Sequence, residues 1–311
     1  MRFITFILLM FSWSVPSFSK DLSSRPQAPR INQLATESDR MCALVQNSGV
    51  RCWDGTHRDG DVFVPSDLKN PSQIAVASTH TCALTSEGVR CWGDYEGDHS
   101  EFTDVPKNLK HPRQVSVAES YSCALADDGV HCWGLASEGV VYVPQDLKNP
   151  SQISTGPGYA CALTDDGVRC WGNNEGVPPK NLKNPRRVDV GGAYACALTD
   201  EGLRCWESAD STGGGNHGRE IYVPQKLKNI TQVSVGVWYV CAMADEKIHC
   251  WDGKGDAKVA KHLNHASQVL AGWNYGCAAL DTGIKCWGRL DRLSPATNIP
   301  EDLKAPASCE K

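Results

Sequence analysis

The chain of 311 residues lacks several features that mark common classes of protein. Its 31 basic residues are outnumbered by 36 acidic ones, and the formal net charge of −5 argues against a generic nucleic-acid binder, which carries a positive balance. After residue 15, no apolar run is long enough to cross a bilayer. No repeated unit shows a helical apolar period over ten or more residues, which excludes a helical repeat protein.

What the chain has in abundance is cysteine, tryptophan and turn-forming residues: 15 Cys, 10 Trp, 28 Gly and 17 Pro. It opens on Arg2, an apolar stretch from Phe3 to Val15, and small residues at Ser17 and Ser19. This order is typical of a cleaved secretory signal. We therefore predict a signal peptide over residues 1–19, an N-terminal extension over residues 20–32, and export to the periplasm or the extracellular space.

The rest of the sequence is one repeat. A Cys-Ala-Leu-like segment is followed nine or ten residues later by a Cys-Trp pair, and this unit occurs seven times. The first cysteines of successive units are 40, 41, 38, 35, 45 and 36 residues apart. A short apolar strand such as Gln73–Val76 precedes each hairpin, and a Leu-Lys-Asn-Pro-like segment such as Leu68–Pro71 follows it.

Each unit is predicted to be antiparallel β-structure, because apolar residues alternate on both sides of a tight polar loop. A period of about 40 residues with one small sheet per unit is that of a propeller blade. We predict an all-β fold, a seven-bladed β-propeller with three- to four-stranded antiparallel blades, over residues 33–306, with a short tail at 307–311. Five hairpins have glycine at the position where positive φ is needed; in the sixth, Lys247 replaces it, and we expect a strained turn there.

The spacing of the cysteines favours disulfides within the blades. With a four-residue loop, Cys82 lies directly opposite Cys91, close to the distance that a disulfide spans. Metal ligation is the competing interpretation, although no Cys-x-x-Cys occurs, and buried free thiols are the other. Cys309 is left over. The predicted pairs are Cys42–Cys52, Cys82–Cys91, Cys123–Cys132, Cys161–Cys170, Cys196–Cys205, Cys241–Cys250 and Cys277–Cys286.

The repeat resembles that of the regulator of chromosome condensation family, most closely in Gly156–Gly172, Gly191–Trp206 and Ala77–Gly93. The resemblance covers residues 33–306 and implies a seven-bladed propeller. Members of that family range from nuclear exchange factors for a small GTPase to exported bacterial proteins, including a propeller-type β-lactamase inhibitor. The export signal, the paired cysteines and the acidic balance place this chain nearer the exported members.

Signatures of catalysis and of cofactor binding are missing from the sequence. There is no Gly-x-Ser-x-Gly, no His-Glu-x-x-His, no phosphate loop and no dinucleotide fingerprint. We predict no enzyme activity, no cofactor and no metal. An extracellular or cell-wall-directed hydrolase remains the main alternative, because a propeller can assemble a site from residues far apart in the chain. A structural surface component is a third possibility.

The candidate binding site lies just before the first cysteine of each unit. Two positions before it, five units have tyrosine, while the first two have Arg40 and His80; packing against the neighbouring blade explains most of these residues. The positions before them vary more, and variable residues at one end of a rigid scaffold are where binding usually resides. The hypothesis is a partner-binding patch formed by Trp238, Tyr239, Trp273, Asn274, Tyr275 and Glu119.

Two other groups of charged residues are candidate sites. Acidic loops containing Asp54, Asp59 and Asp61, and Asp94, Glu96, Asp98 and Glu101, could hold calcium, but their spacing does not fit the EF-hand pattern and solvated loop charge is the favoured interpretation. A circle of lysines is more typical of solvated charge than of an anion site: Lys69, Lys110, Lys148, Lys183, Lys228 and Lys304. The sequence therefore predicts a monomeric binding module for a protein or other extracellular macromolecule, possible inhibition included, with no nucleic-acid partner and no membrane span.

Overall fold

The computed structural model describes residues 29–55, 62–93, 100–135, 139–172, 177–207, 218–225, 227–252, 255, 258–260, 263, 266–288 and 298–306. Within these ranges the chain forms seven antiparallel sheets, and consecutive strands are neighbours in each. Six of the sheets have three strands, and the sheet of the sixth repeat unit has four. A single short helix, α1 (Ser100–Thr103), is present there, and no helix in this part is long and apolar enough to span a membrane.

The strands follow the repeat unit by unit. Blades one to four contain β1 (Ile31–Glu37), β2 (Arg40–Val45) and β3 (Gly49–Asp54); β4 (Gln73–Val76), β5 (His80–Thr85) and β6 (Gly88–Gly93); β7 (Gln114–Ala118), β8 (Tyr121–Ala126) and β9 (Gly129–Gly134); β10 (Gln152–Gly156), β11 (Tyr159–Thr164) and β12 (Gly167–Gly172). Blades five to seven contain β13 (Arg187–Val190), β14 (Tyr194–Thr199) and β15 (Gly202–Glu207); β16 (Ile230–Val235), β17 (Val240–Ala244), β18 (Lys247–Trp251) and β19 (Lys258–Ala260); β20 (Ala266–Ala271), β21 (Tyr275–Leu280) and β22 (Gly283–Gly288).

The first strand of each blade is the innermost, and these seven strands form a closed ring. Contacts run from β1 through β4, β7, β10, β13 and β16 to β20, and β20 contacts β1 again. Seven apolar clusters fill the junctions between neighbouring blades, so the core is a ring of interfaces and not one central mass. The predicted seven-bladed β-propeller is confirmed.

The hairpin register follows from the cysteine spacing. Cys82 pairs with Cys91, Ala83 with Arg90 and Leu84 with Val89, as the sequence predicts. The equivalent cysteines face each other in every blade, with Cα atoms 4.0–4.1 Å apart, and all seven pairs are disulfides. Each closes a short loop and so removes conformational freedom from the unfolded chain, which is worth roughly 2–3 kcal/mol in the chain-entropy picture.

The sixth hairpin, where Lys247 stands in place of the glycine and a strained turn is predicted, has a different turn from the others. Lys247 begins β18 with ordinary backbone geometry, while Asp245 and Glu246 have φ of 49° and 62°. Two consecutive residues with positive φ form a type I′ turn, which matches the twist of the strands. The hairpin therefore changes its turn type, and Asp245 and Glu246 together adopt the positive φ that a single glycine adopts in the other hairpins.

Glutamine side chains join neighbouring blades at the innermost strands. The Gln33 amide donates to the Ile74 carbonyl oxygen at 2.8 Å, while its oxygen accepts from the Ile74 N–H at 2.7 Å. Five more glutamines make the same two bonds: Gln73 with Val115, Gln114 with Ile153, Gln152 with Val188, Gln232 with Val269, and Gln268 with Leu34. We call each such pair of hydrogen bonds a glutamine clamp. Each clamp satisfies the N–H and the C=O of an inner-strand residue that has no neighbouring strand on the channel side.

The junction between blades five and six is built differently. Arg187 occupies the position of the glutamine there, and Asp189, two residues later, accepts a hydrogen bond from the Val235 N–H at 2.8 Å. Ser154 also donates to Asp189, at 3.4 Å. Burial raises the pKa of Asp189 to about 6, although the charge of Arg187 opposes the rise. A carboxylate thus replaces the amide clamp at this junction.

The ring closes between blades one and seven. The sequence predicts that the propeller closes between the Gln33–Leu34 strand and the C-terminal segment Leu303–Pro306, without specifying which strands make the contact. In the structure Leu34 is clamped by Gln268 of blade seven, and the C-terminal segment adds to the outer side of β22, where Ala305 donates to the Ile284 carbonyl at 2.9 Å. Leu303 still packs in the cluster between blades seven and one. The innermost strands therefore carry the closure.

Candidate functional site

The turns between the first and second strands of all seven blades lie at one end of the channel. We call this end the mouth face and define it by residues 37–39, 77–79, 118–120, 157–158, 191–193, 236–239 and 272–274. A cavity of about 40 Å³ at its centre is lined from six blades, with Glu37, Ala118, Gly156, Gly191, Gly236 and Gly272 among its walls. The fold therefore gathers residues more than 230 positions apart around one small opening.

The channel is narrow at the mouth because the backbones of neighbouring blades touch there. A β-carbon at Gly191 would clash with the carbonyl oxygen of Gly236, and one at Gly236 would clash with that of Gly272. Loop residues of blades five and six are joined directly, since the Ala193 N–H donates to the Val237 carbonyl at 2.9 Å. The mouth is a rigid rim, and a ligand that engaged it would meet a preformed surface.

Two tryptophans of the predicted patch are exposed on this rim. Trp238 is 38% exposed and Trp273 is 47% exposed, and Trp273 also lines the mouth cavity. The tryptophans that follow the second cysteine behave differently: Trp53, Trp206 and Trp251 are fully buried between blades. Exposing two large aromatic side chains on adjacent blades costs hydrophobic stabilisation that burial would supply. This pattern is typical of interface anchors.

The other members of the predicted patch fall into two groups. Glu119 is exposed on the mouth face, and its backbone carbonyl accepts a hydrogen bond from Thr79 at 2.6 Å. Asn274 and Tyr239 are half-buried, and Tyr239 packs against the cluster between blades six and seven. Tyr275 is buried and its hydroxyl lies 2.8 Å from the Thr36 hydroxyl of blade one, so its side chain serves the blade interface.

The tyrosines two positions before the first cysteine have the packing role that the sequence suggests for most of them. The Tyr121 hydroxyl donates to the carbonyl oxygens of Gly156 and Tyr159, at 2.8 and 2.6 Å. Tyr159 repeats the arrangement one blade later, with Gly191 and Tyr194. Each hydroxyl caps backbone carbonyls at the turn of the next blade. These side chains hold the mouth turns in place from below.

His80 replaces the tyrosine in blade two and forms a buried polar pair. Its Nε2 lies 2.6 Å from the Ser122 hydroxyl, Nδ1 lies 2.9 Å from the Thr79 hydroxyl, and its ring stacks on Phe102 at 5.5 Å. Burial, with a smaller effect from the charge of Arg40, lowers the pKa of His80 to about 4. A histidine beside a serine suggests nucleophilic catalysis. Both side chains are fully buried, so a substrate has no route to this serine.

Glu37 is the residue that the sequence analysis missed. It ends β1 at the mouth, where the other inner strands end in alanine, glycine or valine. Burial and, to a smaller extent, the charge of Glu119 raise the pKa of Glu37 to about 7. The available signal was a charged residue at one repeat position where the other units have small ones. Its significance depends on the channel, which the sequence does not show.

The opposite end of the propeller is formed by the hairpin turns, residues 47–48, 86–87, 127–128, 165–166, 200–201, 245–246 and 281–282, together with the Leu-Lys-Asn-Pro segments. We call it the hairpin face. Asn149, in the left-handed region at φ 45°, donates to Asp165 at 2.6 Å, and Lys148 pairs with Asp166 at 3.0 Å. Asn184 and Lys183 repeat both contacts in the next blade. Lys148 and Lys183 of the lysine circle are thus paired with turn carboxylates.

The calcium hypothesis receives no support from the residues that the structure describes. Asp54 is buried and Glu101 is exposed on α1, while Asp59, Asp61, Asp94, Glu96 and Asp98 lie outside the described residues, as does Cys309. In the described ranges no three histidine, cysteine, aspartate or glutamate side chains are placed to hold a metal ion.

Comparison with known proteins identifies the repeat. Residues 151–175, which span the three strands of blade four, match the regulator of chromosome condensation (RCC1) repeat. The match to this repeat model thus covers one of the seven units. No curated protein matches the chain in sequence.

Solved structures share the fold at low identity. The ectodomain of the Physcomitrella patens receptor kinase CR4 is 20% identical, with a TM-score of 0.64 over 84% of this chain and 74% of that one. The CRINKLY WD40 ectodomain of the Arabidopsis thaliana receptor kinase ACR4 is 21% identical, with a TM-score of 0.63 over 84% and 96%. Human WBSCR16 is 15% identical, with a TM-score of 0.61 over 78% and 85%. At these identities the likeness concerns the fold alone.

Proposed function

We propose that this chain is an exported, disulfide-stabilised binding module that recognises a partner protein with its mouth face. The observation that carries the proposal is the exposure of Trp238 and Trp273 on adjacent blades of a rigid rim. Large, rigid aromatic side chains bury much area at a low cost in conformational entropy, which is why they dominate interface energetics. Such a module inhibits its partner when the partner is an enzyme and the mouth face covers its active site.

Export is supported by two features. The sequence opens on a predicted signal peptide, and the propeller holds seven disulfides, which persist in oxidising compartments and are rare in the cytosol. A periplasmic or extracellular location fits both. The hydrolase alternative has no comparable support, because the one serine–histidine pair found among the described residues is sealed inside the blade interface.

The test is capture of the partner by the oxidised mature chain, residues 20–311, from the exported proteins of its source. We expect one stoichiometric protein partner, retained by the native chain and lost with Trp238→Ala and Trp273→Ala. Tyr142→Ala and Tyr222→Ala serve as controls, because they truncate exposed aromatic residues outside the mouth face. Equal retention by all four variants would refute the mouth face as the binding surface, and turnover in a hydrolase panel without any partner would favour an enzyme.

A further inference from the structure

Glu37 lines the mouth cavity, and its carboxyl group has no compensating charge or hydrogen bond from the described residues. Among the residues that the structure describes, no hydrogen-bond donor or ion-pair partner reaches it, and the charge that acts on it most is that of another carboxylate, Glu119. A half-buried carboxylate normally has such partners, because removing it from water without them is costly. Both its burial and its neighbour make the ionised form of Glu37 unfavourable in the free protein.

Nothing cationic among the mouth turns offsets this charge. The seven turns that define the mouth face contain three charged residues, Glu37, Asp39 and Glu119, and all three are acidic. Arg40, the strand partner of Glu37, is buried, and its charge acts on His80. A cation near Glu37 would oppose the rise in the pKa of its carboxyl group, but the two influences on that pKa, burial and the charge of Glu119, both raise it. The mouth is therefore electrostatically suited to a positive group from outside.

The cavity also has a hydrophobic wall. Trp273 lines it and is 47% exposed, so part of its ring is open to a ligand. A cation that touches the face of a tryptophan ring is attracted by the ring quadrupole, and the attraction increases when water is excluded. The cavity volume of about 40 Å³ accommodates about three water molecules, or one planar head group of similar size.

We propose that the partner protein inserts a cationic side chain, an arginine, into the mouth of the channel, where it pairs with Glu37 and lies against Trp273. Arginine fits better than lysine because its planar guanidinium binds a carboxylate with two donors and stacks on an aromatic ring at once. This inference rests on the proposed function, since it names the chemistry by which the mouth face recognises its partner. An arginine inserted into the mouth would also fix the orientation of the partner, which contacts with the exposed tryptophans alone would not specify.

The experiment uses the mature chain and two capped peptides, acetyl-Gly-Ser-Arg-Ser-Gly-amide and the same peptide with citrulline, which has nearly the same shape without the charge. Titration calorimetry gives the two affinities. We expect the arginine peptide to bind about tenfold more tightly. Glu37→Gln, which preserves side-chain shape, should abolish the difference, while Glu87→Gln, which removes an exposed carboxylate on the hairpin face, should leave it intact. Circular dichroism checks that both variants are folded.

Three outcomes would overturn the inference. Binding of neither peptide, or equal binding of both, would show that the mouth does not recognise a guanidinium. An equal loss with Glu87→Gln would show that only the overall charge matters. Calcium binding that depends on Glu37 without any preference for arginine would identify an inorganic cation site instead. The proposed function is tested separately. A captured partner that is lost with Trp238→Ala but retained by Glu37→Gln supports protein binding by the mouth face and refutes the insertion of an arginine.

Discussion

The two ends of this propeller treat their polar and apolar side chains in opposite ways. On the hairpin face, Lys148 and Lys183 pair with turn carboxylates, and asparagines of the connecting segments hold the turns by hydrogen bonds. On the mouth face, two tryptophans are exposed and a half-buried carboxylate lacks a partner among the described residues. Both faces are built from the same repeat, so the difference reflects particular residues and not the fold.

The contrast separates residues that stabilise the molecule from residues that do not. A surface whose groups are mutually satisfied gains little from a ligand, whereas a surface with uncompensated groups gains free energy when a partner supplies what is missing. Functional sites commonly carry such a cost in stability. Substitutions that distinguish the two faces therefore test the assignment of the mouth as the binding surface.

The largest expected effect comes from the tryptophans. Trp251→Ala removes a fully buried side chain from the interface of blades five and six, and we expect a loss of about 3–5 kcal/mol in unfolding free energy. Trp273→Ala should leave the melting temperature nearly unchanged and weaken partner binding by about 2 kcal/mol or more. Thermal and chemical denaturation measure the first effect. A large fall in melting temperature for Trp273→Ala would mean that the Trp273 side chain holds blades together, and its assignment as a binding residue would be withdrawn.

The second largest effect is a loss of stability at the innermost strands, which line the channel between the mouth face and the hairpin face. Gln268→Ala removes both hydrogen bonds between blades seven and one and leaves the backbone N–H and C=O of Leu34 without their partner. Each unsatisfied buried group costs about 1–3 kcal/mol, so for the two groups we expect a loss of roughly 2–6 kcal/mol. Gln73→Ala is the matched control at an ordinary junction. A much smaller loss for Gln268→Ala would show that the C-terminal segment, and not the clamp, carries the closure.

The third effect is a pH dependence of stability at the mouth. Because the folded-state pKa of Glu37 is about 7 and its ordinary value is 4.5, the folded state favours the protonated carboxyl group. Its contribution to stability is therefore greatest below about pH 4.5 and is lost as the pH rises to 7. Glu37→Gln should be more stable than the native chain at pH 8, with the difference vanishing at pH 4. Identical curves would show that the mouth carboxylate is well solvated.

The smallest effect is expected on the hairpin face. Lys183→Ala breaks the ion pair with Glu201, which lies in solvent and is screened by salt. We expect the melting temperature and partner binding to remain unchanged within error, at low and at high ionic strength. A loss of partner binding with this variant would move the docking surface from the mouth face to the hairpin face.

Much of the architecture could be predicted because it depends on residues that are close in the chain. The nine-residue spacing of Cys82 and Cys91 sets the hairpin register, and the disulfide follows from that register. The same local logic fails for Lys247, because the hairpin changes its turn type instead of straining one residue. The tyrosines two positions before the first cysteine are also visible in the sequence as a repeated position, and in the structure Tyr121 and Tyr159 contact the neighbouring blade.

What the sequence alone determined is the blade: its three strands, its disulfide and the sevenfold repetition. What only the tertiary structure decided is everything that passes between blades. The clamp of Gln268 on Leu34 joins residues 234 positions apart, and the mouth brings Glu37 near Glu119 and places it in one cavity with Trp273. A recurring glutamine or a lone glutamate is visible in the sequence, but its partners are set by ring closure. Side-chain patterning specifies contacts along a strand and across a hairpin, whereas contacts around a channel depend on how seven blades pack together.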